Sequence, residues 1–412
     1  MSEPTAGTAR TARWTHDDAV AWAESMVEPL SERARETEEL RRLPHATIGD
    51  CEAVDAFALV SPESVGGHGL GFRSLTEVTR ILAHGCVSSS WTISFLMLHN
   101  WFVARGPADL QDAVLAGATH AKIPCPLAPT GTAIPVDGGY RITGRWQWAT
   151  GIMHGNWVMV NTMVDHSASE IVGGEAAGGP PESRFCLLPI DDVEIVDIWH
   201  TSGMRGTGSN DVAATDVFVP EEATLLAADL RGDDPPGFAV HPFPWTRYAF
   251  TPVLCMVAAS PALGGAEAAV DEFRDRAKKR VLPYSLNDKQ AESHGTHIRL
   301  AEARSTVRAA HLVWQDAIDT ICDTYDSGGS IDRADRAPLR LAAAQVVKLS
   351  RAAVNTAAEG AGASVYFSDA PLQRIQRDLE TLKGHVVYDW DRVAQLAGKL
   401  ELGIEPGPAD ML

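Results

Sequence analysis

An indole and a hydroxyl stand two residues apart in the segment GGYRITGRWQWATG, at Trp148 and Thr150, with Ala149 between them. On a strand, side chains two positions apart point to the same face. An aromatic wall beside a short hydrogen-bonding group suits a planar heteroaromatic cofactor. An ordinary core tryptophan beside a surface threonine produces the same pattern, so this segment alone leaves both interpretations open.

A glycine-rich loop, WHTSGMRGTGSND from Trp199 to Asp211, lies between two runs of β-type residues. Glycine lets a backbone approach a ligand closely. The loop lacks the Gly-Lys-Ser/Thr sequence of a phosphate loop and opens no helix, so it predicts no phosphate site of that kind. No G-x-G-x-x-G follows a strand anywhere in the chain, which therefore has no NAD(P)H fingerprint.

Two histidines are candidates for acid-base chemistry. His385 follows the Arg377-Asp378 pair on a predicted helix, two turns on and nearly on the same face. His99 lies close to Trp101 in an apolar stretch. An imidazole with a pKa of about 6.5 can take up a proton near neutral pH. A lone histidine on a helix is also compatible with a structural role, and each position alone leaves that alternative open.

The elements that must position these residues begin with helices. Thr15 followed by Asp18 predicts a capping box at the start of the first helix, after a frayed terminus. Helical spacing continues to about Pro107 and is broken by a Pro/Gly-rich loop from Ser61 to Gly71.

Between about His120 and Pro220 the pattern changes to short β-type runs. The sequence Val136-Asp-Gly-Gly-Tyr140 predicts a hairpin. The stretch from Glu170 to Ser183 is too rich in Gly, Pro and Ala to pack, and it predicts an exposed loop between strands.

Beyond about Phe250, apolar residues step by three and four in two long stripes, as in a helical bundle. The stripes are Leu263, Ala266, Val270, Phe273 and Ala277, and Leu300, Ala303, Val307, Ala310, Trp314, Ala317 and Ile321. Pro338 suits the first turn of a helix from Ala337 to about Ala358, and a last helix follows Ser368. The predicted domains are 1–119 (helical), 120–225 (a small β-barrel or sandwich) and 226–412 (a four-helix bundle).

The composition excludes several classes of function. The 412 residues carry 54 acidic and 35 basic side chains, a net charge of -19, which disfavours nucleic acid and membrane surfaces as partners. We expect no signal peptide and no apolar run near the roughly 20 residues of a spanning helix, and hence a cytoplasmic protein. The 6 cysteines lie far apart without a C-x-x-C pair, which predicts reduced, mostly buried thiols and no metal site.

The order and spacing of these motifs match one family along nearly the whole chain. The sequence resembles the acyl-CoA dehydrogenase superfamily and, within it, the oxygenase components of two-component, class D flavin-dependent monooxygenases. The resemblance is carried by SSSWTISFLMLHNW, GGYRITGRWQWATG, GMRGTGSNDVAATDVFVP and PLQRIQRDLETLKGH. It implies an acyl-CoA dehydrogenase-like fold, of the α+β class and mostly α.

The resemblance also implies cofactor-binding residues. Trp148, Ala149 and Thr150 match the strand whose indole lies against the isoalloxazine and whose hydroxyl reaches the flavin N5 region. Arg280 lies near the arginine that reaches the flavin phosphates of a neighbouring subunit. Gly360 and Gly362 match a bend that approaches the cofactor from another subunit, so a homotetramer, or at least a dimer, is expected.

The activity implied by the resemblance is hydroxylation of a phenolic or polycyclic aromatic substrate by O2 and reduced FMN or FAD, through a C4a-hydroperoxide. His385 replaces the glutamate of many dehydrogenases and serves as the base, while Thr150 slows the loss of peroxide. His99 and Trp101 belong to the substrate side. A separate NAD(P)H:flavin reductase supplies the reduced flavin by diffusion, and the choice between FMN and FAD stays open.

Three alternatives remain at this stage. The first is an acyl-CoA dehydrogenase, against which the missing glutamate argues. The second is an N-oxygenase of an amine or amino sugar, which a polar substrate pocket near His385 would favour. The third is a helical assembly protein without catalysis, which a failure to bind flavin would favour.

Overall fold

The computed structural model describes residues 12–168, 182–283, 285–407, 410 and 412. The frayed start predicted before Thr15 and most of the loop predicted from Glu170 to Ser183 lie outside the described residues. The predicted capping box is confirmed, because Thr15 Oγ1 accepts from the Asp18 N–H (3.2 Å) and Asp18 accepts from the Thr15 N–H (2.8 Å).

The described elements run in the order helices, strands, helices. The first helices are α1 (His16–Glu32), α2 (Ala34–Leu40), α3 (His45–Glu52), α4 (Phe72–Gly85), α5 (Val87–Arg105) and α6 (Ala108–Leu115). The strands are β1 (Gly131–Val136), β2 (Gly139–Ala149), β3 (Trp157–Val164), β4 (Ser183–Pro189), β5 (Glu194–Val196), β6 (Asn210–Pro220) and β7 (Thr224–Leu226). The last helices are α7 (Ala227–Arg231), α8 (Gly237–Val240), α9 (Phe250–Lys279), α10 (His294–Asp326), α11 (Arg336–Ala361), α12 (Pro371–Leu382) and α13 (Trp390–Glu401).

The strands form one mixed sheet in the order β5-β6-β2-β1-β3-β4-β7. Strands β1 and β3 pair in parallel, and the other neighbours are antiparallel. The predicted hairpin is confirmed: β1 and β2 close at Val136 and Gly139, with Gly138 in the left-handed region (φ 74°). The fold class is confirmed as α+β and mostly α, whereas the domain boundaries at 119/120 and 225/226 stay a prediction.

Helix α9 lies at the centre of the carboxyl-terminal helices and packs against α4, α10 and α11. Its predicted stripe is buried throughout, with Leu263, Ala266, Val270 and Phe273 at 0% exposure. By length and composition alone α9 could cross a membrane, so the expectation that no apolar run has that length was wrong. Because 89% of its most apolar stretch is buried, α9 has the character of the core helix of a folded domain.

The prediction that His385 lies on a helix was wrong. Helix α12 ends at Leu382, and Gly384 separates it from a short 3₁₀ turn at Val386–Tyr388 that begins directly after His385. Glycine disfavours continuation of a helix because its backbone loses more freedom there. His385 therefore lies in the connection between α12 and α13.

Candidate active site

The two tryptophans of the WQWAT segment have opposite environments. The Trp146 ring is fully buried in the sheet's core, and its indole N–H donates to the Asn161 carbonyl (2.6 Å). Trp148, by contrast, is 56% exposed near the end of β2. The ordinary core tryptophan is therefore Trp146, while Trp148 presents an apolar surface that the chain itself leaves uncovered.

Thr150 follows β2 in a turn and belongs to a chain of hydroxyl hydrogen bonds. Its Oγ1 accepts from the Trp91 indole N–H (3.3 Å) and lies 2.9 Å from Ser209 Oγ. Ser209 Oγ lies 2.8 Å from Thr207 Oγ1, which donates to the Met204 carbonyl (2.9 Å). The glycine-rich loop and the WQWAT segment thus form one polar site.

A buried carboxylate fixes the glycine-rich loop. Asp378 on α12 accepts from the Met204 N–H (2.6 Å) and from the Ser88 hydroxyl (3.4 Å). Burial raises the pKa of Asp378 to about 6, against the lowering effect of the Met204 N–H. A Cβ at Gly203 would overlap the Arg377 carbonyl, so the loop can lie this close to α12 only with glycine there.

Helix α5 supplies an aromatic face at the same site. Trp91, Phe95 and His99 are spaced by four residues, and successive ring centroids lie 4.7 and 5.5 Å apart. The Trp91 ring also meets the His385 ring at a centroid distance of 5.4 Å and an interplanar angle of 70°. Trp91 therefore contacts both Thr150 and His385.

His99 is buried, and its Nδ1 donates to the Ile123 carbonyl. Burial lowers the pKa of its imidazole to about 4, so the ring is neutral at pH 7. With the proton on Nδ1, the other nitrogen, Nε2, keeps a lone pair. His99 is thus a neutral hydrogen-bond acceptor at the far end of the aromatic face.

His385 is half-buried, and burial lowers the pKa of its imidazole to about 4. Its Nδ1 accepts a long hydrogen bond from the Val387 N–H (3.4 Å), which favours the neutral ring with its proton on Nε2. The buried guanidinium of Arg340 on α11 donates to the Val386 and Val387 carbonyls, both at 3.2 Å. The segment that carries His385 is therefore fixed to the helical bundle.

Trp101, predicted on the substrate side, lies elsewhere. Two positions along a helix turn a side chain to nearly the opposite face, so Trp101 points away from the face that carries His99. Its ring stacks on Trp245 and Phe250, its indole N–H donates to the Trp245 carbonyl (3.0 Å), and Arg105 lies over it. The structure gives Trp101 a packing role and does not bring it to the site.

The residues predicted to contact the flavin phosphates form a second cluster. Arg280, at the end of α9, donates to the Ala361 carbonyl (2.6 Å) and to Gln290 (3.2 Å). Its guanidinium lies against Gly362 (φ 79°), where any Cβ would overlap it. A Cβ at Gly360 would overlap the Phe273 ring, so that glycine has a packing role of its own.

These features fit a bound flavin. Exposed Trp148 offers an aromatic wall, and half-buried Thr150 beside it offers a hydroxyl group. Arg280 is half-buried and keeps guanidinium surface for an anion. Trp148, Thr150 and Arg280 are therefore suited to the ring system and the phosphates of a flavin.

Several residues of the site were missed from the sequence. Ser209 and Thr207 lie in the glycine-rich loop, whose pattern alone predicted no site, and Trp91 lies in SSSWTISFLMLHNW, which indicated a function only through the family resemblance. The spacing of Trp91, Phe95 and His99 is a signal for a shared helical face. The role of Asp378 depends on a contact across about 170 residues, for which the sequence carries no local signal.

Comparison with known proteins gives consistent matches, and the matching relatives cover nearly the whole chain. The family model "Acyl-CoA dehydrogenase, C-terminal domain" matches residues 256–390. The oxygenase subunit HsaA of a flavin-dependent monooxygenase from Mycobacterium tuberculosis is 30% identical, over 94% of this chain and 96% of the relative. Its crystal structure superimposes with a TM-score of 0.87, over 96% of this chain and 99% of that chain.

Two further relatives are described with FADH2 as their flavin. The oxygenase component of an FADH2-dependent resorcinol hydroxylase from Rhizobium sp. is 29% identical, over 90% of this chain and 91% of the relative. XiaF from Streptomyces sp., solved in complex with FADH2 and glycerol, is 27% identical with a TM-score of 0.87, over 96% of this chain and 98% of that chain.

Proposed function

The chain belongs to the flavin-dependent monooxygenases as an oxygenase component, and on that basis we propose that it hydroxylates a phenolic aromatic compound. One observation carries the proposal: Trp91 contacts both Thr150, on the predicted flavin side, and His385, on the predicted substrate side. The activity of the resorcinol hydroxylase relative supports the same substrate class.

Reduced flavin, when bound, supplies two electrons that activate O2. In the overall reaction one oxygen atom enters an aromatic C–H bond as a hydroxyl group, the other leaves as water, and the flavin becomes oxidised. We propose FADH2 over FMNH2 on the names of two relatives. A separate reductase in the cytoplasm delivers it.

The residues of the chain bind the ring system and exclude water. Trp148 offers a flat face for stacking, and Thr150 offers a hydroxyl group at the edge of the same surface. The buried rings of Trp91 and Phe95 form an apolar wall that keeps solvent from activated oxygen. His99 orients the substrate through the lone pair on Nε2.

His385 promotes ionisation of the phenol, which makes the ring carbon a better nucleophile. Its low pKa keeps the ring neutral at pH 7, and a phenolate beside it favours the imidazolium form. In the resting tautomer Nε2–H donates to the oxygen of a phenol that has released its proton to solvent, and so stabilises the phenolate. In the other tautomer, reached by giving up the long contact with Val387, Nε2 accepts the phenolic proton as a general base.

The dehydrogenase alternative lacks a carboxylate base at this position. Two carboxylates near His385 in sequence are already engaged by protein groups: Glu380 pairs with Arg351 (2.9 Å), and Asp389 caps α13 by accepting from the Arg392 N–H (3.1 Å). Neither is free to remove an α-proton from a thioester substrate.

An oxygenation assay tests the proposal. The protein is mixed anaerobically with FADH2 and with either a panel of phenols that includes resorcinol or a panel of amines. It is then exposed to ¹⁸O2, and the products are analysed by mass spectrometry beside a peroxide assay. We expect one ¹⁸O atom in a hydroxylated product. Incorporation into amines but not phenols would favour N-oxygenation, and failure to bind flavin would favour a non-catalytic assembly role.

A further inference from the structure

We propose that Thr207 and Ser209 are positioning residues that fix the direction of the Thr150 hydroxyl group, so that the site prefers reduced over oxidised flavin. This inference rests on the proposed function, because it assumes that Thr150 faces the flavin N5 position. It adds a physical basis for selecting the redox state of the cofactor.

The direction follows from the two ends of the hydrogen-bond chain. The Met204 carbonyl can only accept, so the single Thr207 hydroxyl proton is directed to it. Thr207 Oγ1 must then accept from Ser209, and Ser209 Oγ must in turn accept from Thr150. At the other end the Trp91 indole N–H can only donate, which matches an accepting oxygen at Thr150.

The consequence is that Thr150 has no proton left for a ligand. Its one hydroxyl proton is committed to Ser209, so its oxygen offers only a lone pair to the site. The N5 atom of a reduced flavin carries a hydrogen and can donate to that lone pair. The N5 atom of an oxidised flavin carries a lone pair itself and would be repelled.

The hydrogen-bonded hydroxyl groups of Thr207 and Ser209 are shielded from solvent, which keeps the direction of their hydrogen bonds fixed. Thr207 and Ser209 are 2% and 4% exposed, so bulk water competes little for their protons. The Gly151 N–H donates to the Thr207 carbonyl (2.9 Å), which holds the residue after Thr150 against the loop. Removing the acceptor at Thr207 would free Ser209 to donate to Thr150 and turn the Thr150 proton toward the ligand.

The test is the ratio of two dissociation constants, for oxidised FAD and for FADH2 measured anaerobically, in the purified protein. We expect wild type to bind FADH2 more tightly, and Thr207→Val to lower the ratio roughly tenfold, mainly through tighter binding of oxidised FAD. Thr207→Ser should restore it. Thr162→Val is the matched control, because Thr162 is also buried and its hydroxyl also donates to a carbonyl (Arg184, 2.9 Å). Thr162 does not belong to the hydrogen bonds that lead to Thr150.

Equal weakening of both affinities in Thr207→Val, or an unchanged ratio, would overturn the inference while the proposed function stands. If Thr207→Val does not fold, Ser209→Ala replaces it, since it removes the acceptor for the Thr150 proton directly, and the same fall is expected. If wild type binds neither FAD nor FMN in either redox state, the proposed function itself is refuted, and the inference falls with it.

Discussion

The Trp91 indole meets the His385 imidazole edge to face, with ring centroids 5.4 Å apart, while its N–H donates to Thr150. One side chain of α5 thus separates the hydroxyl group proposed to face the flavin from the imidazole proposed to face the substrate. Substitutions on either side should therefore affect different steps.

His385→Ala should reduce hydroxylation by roughly 100- to 10,000-fold and leave folding and FADH2 binding intact, with O2 recovered as hydrogen peroxide. Raising the pH toward the phenol's own pKa should partly restore product. His385→Gln keeps a donor but cannot take up a proton, so its activity distinguishes the two proposed roles. His297→Ala is the control, because that histidine is exposed on α10. An unchanged ratio of product to peroxide in His385→Ala would return His385 to a structural role.

The two tryptophans of contrasting exposure should give contrasting variants. Trp148→Leu should change stability little, because the side chain is 56% exposed, and should weaken FAD binding roughly tenfold or more through lost stacking. Trp101→Leu should lose about 3 kcal/mol of stability, since it leaves a cavity and an unpaired carbonyl, with an unchanged KM for the phenol in the folded fraction. Urea unfolding measures stability, FAD titration measures cofactor affinity, and steady-state kinetics measure the KM for the phenol. A raised KM in Trp101→Leu would place that residue on the substrate side.

Asp378 should make stability depend on pH. Its pKa is raised from 3.8 to about 6, so between these values the unfolded chain releases a proton that the folded protein retains. Stability is therefore lost as pH rises, by about 3 kcal/mol at most. Asp378→Asn lacks this effect, so its stability relative to wild type should increase from pH 5 to pH 7.5 in urea titrations. A pH-independent difference would contradict the raised pKa.

Gly203→Ala should detach the glycine-rich loop from α12, because the new Cβ would overlap the Arg377 carbonyl. We expect a loss of about 2 kcal/mol or more in stability and weaker FAD binding. Gly49→Ala is the matched control: nothing lies within 4 Å of its Cβ position, and it lies within helix α3, so it should be neutral or slightly stabilising. Equal behaviour of the two variants in thermal unfolding would argue against this loop contact.

Subunit mixing tests whether each flavin site draws on two chains. If Trp148 and Arg280 of one site come from different subunits, Trp148→Leu and Arg280→Met are each deficient, but mixed dimers regain one intact site of two. After refolding an equimolar mixture, about a quarter of the FAD sites should return. Light scattering should report a tetramer or dimer. No recovery on mixing would place both residues in one subunit's site.

The sequence predicted local features well and tertiary ones poorly. The capping box at Thr15 and the buried stripe of α9 depend on contacts between near neighbours, and both were found. The helix end before His385 depends on where the chain turns, and the prediction that His385 lies on a helix was wrong. The packing of Trp101 depends on residues far away in sequence, Trp245 and Phe250, which no local pattern indicates. The hydroxyl hydrogen bonds join the turn after β2 to a loop some 59 residues later, beyond the reach of any periodic signal in the sequence.

The position of Trp91 also constrains how such an enzyme can evolve. A substitution that enlarges the substrate side by shrinking or tilting Trp91 removes the donor to Thr150 at the same time. Changes of substrate range made at Trp91 should therefore also alter the coupling of oxygen use to product formation. New specificities would arise more readily from substitutions in the segment around His385 and at Phe95, with Trp91 kept unchanged.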